Sequence, residues 1–440
     1  HNRNMKTQVI QHLQCAVCGT RVAVTEPLSW RCPQASSQDR HHVLHFVGAS
    51  SDEVFQPQDS ENPFVRFQKL LAWDAFAAQH AASLNERREF IVRLDAQVAS
   101  VAGVGFRRTP FARHAELSRL LGFEETGGLW VKDETHNVAG SQKARHLFTE
   151  LLHLVFAEEK GLAPWGASRP ELAIASCGNA AIAAATLAAS VQWPLRVFVP
   201  ESVDAVVLNT LKALGAHIEV CGRQPTDPAG DPCVLRFQEH VARGSLPFGV
   251  QGTENAWCLD GGRMIGLEML EQFPNTQQLH RIFVQVGGGA FASGIGDAMR
   301  IAEVQGTHLH AVQTQGCSPL ARAWSRAEQT GGTLNAGARW SECMWPWEEV
   351  PVSLADGILD DETYDWISIC DAMTRTGGFP VVAPESDVVA AFELAQKSSG
   401  INVSPTGAAG LAGLMTYIAK NKGNYEQENI AVVFSGVLRS

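Results

Sequence analysis

Asn137-Val-Ala-Gly-Ser-Gln-Lys-Ala-Arg145 places one lysine, Lys143, at the mouth of a helix. Before it, Gly127-Gly-Leu-Trp-Val-Lys132 reads as a strand; after it, Ala144, Leu147, Phe148, Leu151, Leu152 and Val155 recur at helical spacing. The order is strand, polar loop, lysine, helix. Gly140 and Ser141 are the expected entry and N-cap, so Lys143 falls in the first helical turn, where the dipole favours anions over cations. A cation there has two readings. One is an ordinary exposed lysine; the other is a lysine that forms a Schiff base with an aldehyde cofactor, beside that cofactor's phosphate.

Outward from this stretch the chain alternates strands and helices from Thr109-Pro110 onward. Leu172-Ala-Ile-Ala-Ser176 and Leu195-Arg-Val-Phe-Val199 are short apolar strands, with an Ala-rich helix from Gly178 to Ser190 between them. Leu208 to Leu214 reads as helix and Ala216 to Val220 as strand, and further strands are expected at Arg281 to Val286, His308 to Thr314 and Asn429 to Phe434. Strands separated by helices of this length pair in parallel, through right-handed crossovers. No internal repeat or long linker separates the parts. Residues 51–100 read as polar and helical, with Trp73, Phe76 and Leu84 as packing points.

Three polar turns follow strands. Gly287-Gly-Gly-Ala-Phe-Ala-Ser-Gly294 opens a helix, and consecutive glycines let several backbone N–H groups approach an anion, so it reads either as a phosphate cradle or as a steric turn. It lacks the Gly-Lys-Ser/Thr end of a Walker loop and the spacing of a dinucleotide fingerprint. Ser176-Cys-Gly-Asn179 offers amides for a carboxylate, or is a plain helix cap. Ser435-Gly436 closes the last strand and puts a hydroxyl at its end.

The chain has 440 residues, enough for two or three domains, and a formal net charge of -11, which argues against nucleic acid or an anionic membrane as partner. No apolar run approaches the ~20 residues of a spanning helix, and no signal segment opens the chain, so a soluble, cytoplasmic protein is expected. His1 to Asn4 precede Met5 and are read as residue of a tag. Ten cysteines are too sparse for a disulfide scaffold. Cys15 and Cys18, followed by Cys32, have the look of an incomplete zinc site whose fourth ligand is His41, His42 or His45; a ribbon without metal and free thiols are the other readings.

Taken in order, the lysine loop, the Ser-Cys-Gly-Asn turn, the glycine cluster and the terminal serine turn resemble the fold type II pyridoxal-phosphate enzymes. That family includes serine and threonine dehydratases, threonine synthase and the tryptophan synthase β chain. The likeness runs from about Thr109 to Ser435 and takes in Thr109-Pro-Phe, Pro200-Glu201, Leu214-Gly-Ala216, Gly262-Arg-Met-Ile-Gly-Leu-Glu268 and Ser353-Leu-Ala-Asp-Gly-Ile358. It implies an α/β fold of two doubly wound open-sheet domains, tryptophan synthase β-like, with the cofactor in the cleft between them and a small ribbon-like amino-terminal extension. The expected boundaries are 1–50 for the ribbon, 51–130 with 250–440 for the larger domain and 131–249 for the smaller, which carries the lysine loop.

The resemblance also implies residue roles. Lys143 matches the lysine that forms the internal aldimine and moves the Cα proton; Asn179 matches the residue that bonds the cofactor's phenolic oxygen. Ser176, Cys177 and Gly178, with Asn179, match the turn that binds the substrate carboxylate. Gly287, Gly288, Gly289 and Ala290 match the phosphate loop, Ser435 the hydroxyl beside the pyridine nitrogen, and Thr406 lies behind that shell. The family usually has phenylalanine before the lysine, and some members have histidine; here Gln142 stands there, which bears on cofactor packing. The glycine loop and Ala355-Asp-Gly357 look like a dehydratase, whereas Cys15, Cys18, Cys32 and Gly178-Asn-Ala-Ala181 look like threonine synthase.

The expected function is β-elimination from a small hydroxy amino acid through an aminoacrylate, releasing a keto acid and ammonia. The alternatives are a threonine-synthase-like or β-replacement enzyme acting on an activated amino acid, and a non-catalytic scaffold that the retained Lys143, Asn179 and glycine cluster speak against. Expected partners are a small amino-acid substrate and a second copy of the chain in a homodimer.

Overall fold

The strand ahead of the lysine loop, Gly128–Asp133, is buried along nearly its whole length inside a six-stranded sheet. The structure, a computed structural model, describes residues 5–440; His1 to Asn4, expected as tag residue, lie outside the described residues. The chain divides into one unit of Thr109–His136 and Ile265–Arg439, and another of Lys6–Arg108 and Asn137–Met264.

In the first unit the sheet runs Val381–Ala383, His308–Thr314, Arg281–Gln285, Asn429–Phe434, Gly128–Asp133, Phe111–Arg113. Every pairing is parallel except that of the short edge strand Phe111–Arg113. Asn429–Phe434 is buried at all positions, as an interior strand of a parallel sheet must be when helices cover it. From the helix Ala409–Lys420, Leu411 and Leu414 join Phe283, Val312, Ile430 and Val432 in one apolar cluster, each fully buried side chain contributing about 1.5–3 kcal/mol. One charged residue in this unit's interior is Lys132, wholly buried. Its Nζ donates to Glu268 Oε1 at 2.9 Å, Thr109 O at 2.9 Å and Gln272 Oε1 at 2.8 Å, which satisfies the ammonium.

The second unit holds a parallel sheet in the order His217–Cys221, Leu195–Pro200, Leu172–Ala175, Leu246–Pro247. Its amino-terminal part is an antiparallel ribbon, Arg21–Ala23, Lys6–Cys15, Leu44–Val54. Residues 51–108, expected with the larger domain, pack instead in this unit, and the reason is aromatic. Trp73 stacks on Phe90 at 5.4 Å and stands edge-on to Phe156 of the lysine helix, while Phe64 meets Phe148 of that helix at 4.7 Å. Asp260 adds a cap, accepting from Ala72 N at 2.8 Å and Trp73 N at 2.9 Å. Trp73 and Phe76 are therefore core residues, but Leu84 is 45% exposed: it is the first residue of the helix Leu84–Ala102, just past the capping box of Ser83 and Glu86, and faces solvent. Among the described residues no helix is long and apolar enough to cross a membrane.

Candidate active site

Lys143 is the first residue of the helix Lys143–Glu159. Ahead of it the loop turns through Ala139, at a positive φ of 57°; Ser141 is extended, as a cap residue is, and Gln142 already has helical angles. Ser141 still serves the helix end: its Oγ accepts from Lys143 N at 3.3 Å, and Asn137 Nδ2 holds Ser141 O at 2.8 Å. Gln142 is buried, and its Oε1 has no hydrogen-bond partner. One turn on, burial and then the Lys143 charge hold the His146 imidazole down to about 3, so it is neutral and donates from Nδ1 to Cys258 O at 2.8 Å. That approach depends on Gly262, since a Cβ there would collide with the His146 ring. This gives a packing reason for a glycine that the sequence showed only as part of a motif.

In the same unit the strand Leu172–Ala175 leads into Ser176-Cys-Gly and the helix Asn179–Ser190. Ser176 Oγ accepts from Gly178 N at 3.4 Å and Ala181 N at 3.3 Å, so the serine side chain shapes the turn from inside. Cys177 is exposed at its tip, and Asn179 is the first helical residue.

The other unit brings together four stretches far apart in sequence. A Cβ added at Gly287 would press on the Asp360 carboxylate and lie 3.1 Å from Ile358 Cα, so glycine leaves this turn uncrowded. Gly288 O accepts from Asp365 N at 3.0 Å, and Gly289 caps the helix Ala290–Ile301. Thr406 Oγ1 accepts from Gly357 N at 2.9 Å, which ties the Thr406 loop to the Ala355-Asp-Gly motif. Ser435, 2% exposed, follows the strand Asn429–Phe434, the direct neighbour of Arg281–Gln285.

Gln285 joins these stretches, and in the sequence it is one residue of the expected strand Arg281 to Val286. Its Nε2 lies 3.2 Å from Thr406 O, 3.0 Å from Gly407 O, 3.1 Å from Val433 O and 2.8 Å from Ser435 Oγ. Three of these partners are carbonyls, which accept only, so the nitrogen must be the atom that faces them. A polar residue at the carboxyl end of an otherwise apolar strand, just before the glycines, was the available signal. Apart from all of these, the ligand atoms of Cys15, Cys18, Cys32 and His42 lie within 4.8 Å of one another.

Comparison with known proteins gives the family and the fold. A sequence profile for the family described as "Pyridoxal-phosphate dependent enzyme" matches residues 104–436. The chain is 24% identical over 352 residues to the biosynthetic L-threonine dehydratase IlvA of Haemophilus influenzae, covering 79% of this chain and 58% of that protein, so it spans less than two thirds of that relative's length. It is 25% identical over 312 residues to threonine synthase of Methanocaldococcus jannaschii, covering 70% and 68%. Among solved structures, the processed form of threonine deaminase isoform 2 from Solanum lycopersicum superposes with a TM-score of 0.59 at 19% identity, covering 82% of this chain and 91% of that one, which shows a shared fold.

Proposed function

Because the chain belongs to the pyridoxal-phosphate dependent enzyme family, we propose that it is a lyase that removes the β substituent of a small hydroxy amino acid and releases a keto acid and ammonia. The residues present fit the cofactor. The first-turn N–H groups of Ala290–Ile301 have no intrahelical acceptor and suit a phosphate, and Gly287 keeps the backbone before them clear of side chain. When bound, pyridoxal phosphate supplies an electron sink for charge developing at the substrate Cα.

In this reading Lys143 Nζ would hold the cofactor through its aldehyde and, as a free amine, would be the group that takes the substrate Cα proton. Asn179 would donate to the phenolic oxygen, and the Ser176, Cys177 and Gly178 turn, with Asn179, would receive the substrate carboxylate. Gly287, Gly288, Gly289 and Ala290 would receive the phosphate. Ser435 would serve the ring nitrogen, and its hydrogen bond from Gln285 is the observation that carries the reaction class. With Gln285 donating to Oγ, the serine's own proton is directed to another acceptor, and a ring nitrogen placed there would accept it and carry no proton of its own. Electron withdrawal into the ring would then be limited, which suits elimination at the β carbon over transamination.

The likeness to threonine synthase supports a second reading, release of phosphate from an activated amino acid. A steady-state panel of serine, threonine and O-phosphohomoserine tests the two. Keto acid and ammonia from a hydroxy amino acid are expected. Phosphate release from O-phosphohomoserine alone would overturn the lyase reading.

A further inference from the structure

The amino-terminal ribbon assembles four metal-ligating atoms that the cofactor chemistry does not use. Cys15 ends the strand Lys6–Cys15, Cys18 lies in the turn that follows, Cys32 comes from the loop beyond Arg21–Ala23, and His42 stands just before Leu44–Val54. Cys15 Sγ lies 3.4 Å from His42 Nδ1, and Cys18 Sγ lies 3.6 Å from Cys32 Sγ. With Zn–S near 2.3 Å and Zn–N near 2.05 Å, the edges of a tetrahedral site are about 3.5–3.8 Å, so these spacings suit ligands around one ion. They are far longer than the ~2.05 Å of a disulfide.

Two further features point to a metal. Val17 N donates to Cys15 Sγ at 3.4 Å, so the sulfur is placed as an acceptor. His42 Nε2 lies 3.0 Å from Asp39 Oδ2; a carboxylate accepts only, so Nε2 carries the proton and Nδ1 presents a lone pair to the sulfurs. An imidazole fixed through its far nitrogen by a carboxylate is the arrangement that orients a metal-bound histidine. Of the three histidines open to choice in the sequence, His42 alone joins the cluster.

We propose that Cys15, Cys18, Cys32 and His42 bind one zinc ion, with Asp39 as the residue that positions His42, and that the ion holds the ribbon's loop against the helix that begins with Lys143. Three thiolates and an imidazole select a zinc-type ion over a hard cation, and four protein ligands close the coordination shell, so the site is structural. The loop between Cys18 and Cys32 carries the coupling. Leu28 N donates to His153 Nε2 at 2.8 Å, and the Trp30 ring lies 4.9 Å from the His153 ring. Trp257 Nε1 reaches Ser29 O at 3.1 Å, and Thr149 Oγ1 donates to Trp257 O at 2.9 Å. Both His153 and Thr149 belong to the helix Lys143–Glu159.

The test uses the full chain, purified under reducing conditions from zinc-supplemented medium. Elemental analysis should find about one zinc per chain, and Co2+ exchanged into the site should show the visible bands of tetrahedral thiolate coordination. Cys18→Ser, at an exposed ligand, should lose the metal, Asp39→Asn should weaken metal affinity by about 10–100-fold, and His41→Ala should change neither. Chelation should lower the melting temperature and speed amide exchange at Leu28 to Arg31. Absence of zinc together with absence of the Co2+ bands would overturn the proposal, as would zinc retained unchanged in both Cys18→Ser and Asp39→Asn. Should Cys18→Ser not fold, the wild-type spectrum and Asp39→Asn still decide. These readouts are independent of cofactor absorbance and so do not depend on the reading of Lys143.

Discussion

Gln285 donates its side-chain amide to Ser435 Oγ at 2.8 Å, across the pair of parallel strands that end at the glycine loop and at Ser435. One buried amide thereby sets where the hydroxyl sits and where its proton can go. Gln285→Leu should leave the carbonyls of Thr406, Gly407 and Val433 without that donor, at about 1–3 kcal/mol in unfolding free energy by urea titration. It should also free the Ser435 rotor and weaken cofactor binding, read as a shift in the absorbance titration. A variant as stable as the wild type would mean that water replaces the amide.

Lys143→Ala should remove the visible absorbance of the bound cofactor and cut the elimination rate by at least about 10²–10⁴-fold, the usual worth of a positioned proton-transfer group. Unaltered absorbance in this variant would dismiss Lys143 as the cofactor lysine.

Gly287→Ala should push the Asp360 carboxylate aside and crowd the Ile358 backbone, whose Cα would lie 3.1 Å from the new Cβ. A loss of about 1–3 kcal/mol in stability is expected, together with weaker retention of cofactor on dialysis. The melting temperature with and without cofactor checks both.

Glu150, in the middle of the lysine helix, is wholly buried, and burial lifts its carboxyl well above the usual value of 4.5, with the Gly249 backbone offsetting part of the effect. The folded state therefore binds the proton more tightly than the unfolded chain. Its contribution is fully present below the unfolded value and is lost as pH rises toward the folded one, at roughly 1.4 kcal/mol for each pH unit in between. Glu150→Gln should flatten this dependence, with an unfolding midpoint near that of the wild type at about pH 4 and above it at about pH 8.

Lys132 and Glu268, both fully buried, are paired at 2.9 Å. Lys132→Met should leave a buried carboxylate uncompensated and cost about 3–5 kcal/mol, whereas Lys132→Met combined with Glu268→Leu should regain most of the loss. Equal losses in the single and double variants would show that the apolar pair packs badly at this site.

The position of Lys143 at a helix start, the alternation of strand and helix, and the glycine turn after Arg281–Gln285 were legible because each is a local matter. Periodicity, turn residues and caps act over a few neighbours, and the spans Leu172–Ala175, His308–Thr314 and Asn429–Phe434 lie within a residue of the reading. Ala139, by contrast, adopts a left-handed angle that its residue type does not announce.

What the sequence by itself determined, then, is the inventory: which stretches are strands, which turns offer amides, and which lysine, serine and cysteines stand at their ends. Tertiary structure decided the partnerships. Gln285 meets acceptors at Thr406, Gly407, Val433 and Ser435 because strand order places Asn429–Phe434 beside Arg281–Gln285, and His42 is chosen over His41 and His45 by how the ribbon brings its loops together. Residues 51–108 joined the lysine-bearing unit through Trp73, Phe64 and the Asp260 cap. The physical reason is common to all three. A hydrogen bond, ring contact or ligand cluster built from segments distant in sequence is set by the global packing of strands and helices, and no local window contains all of its members.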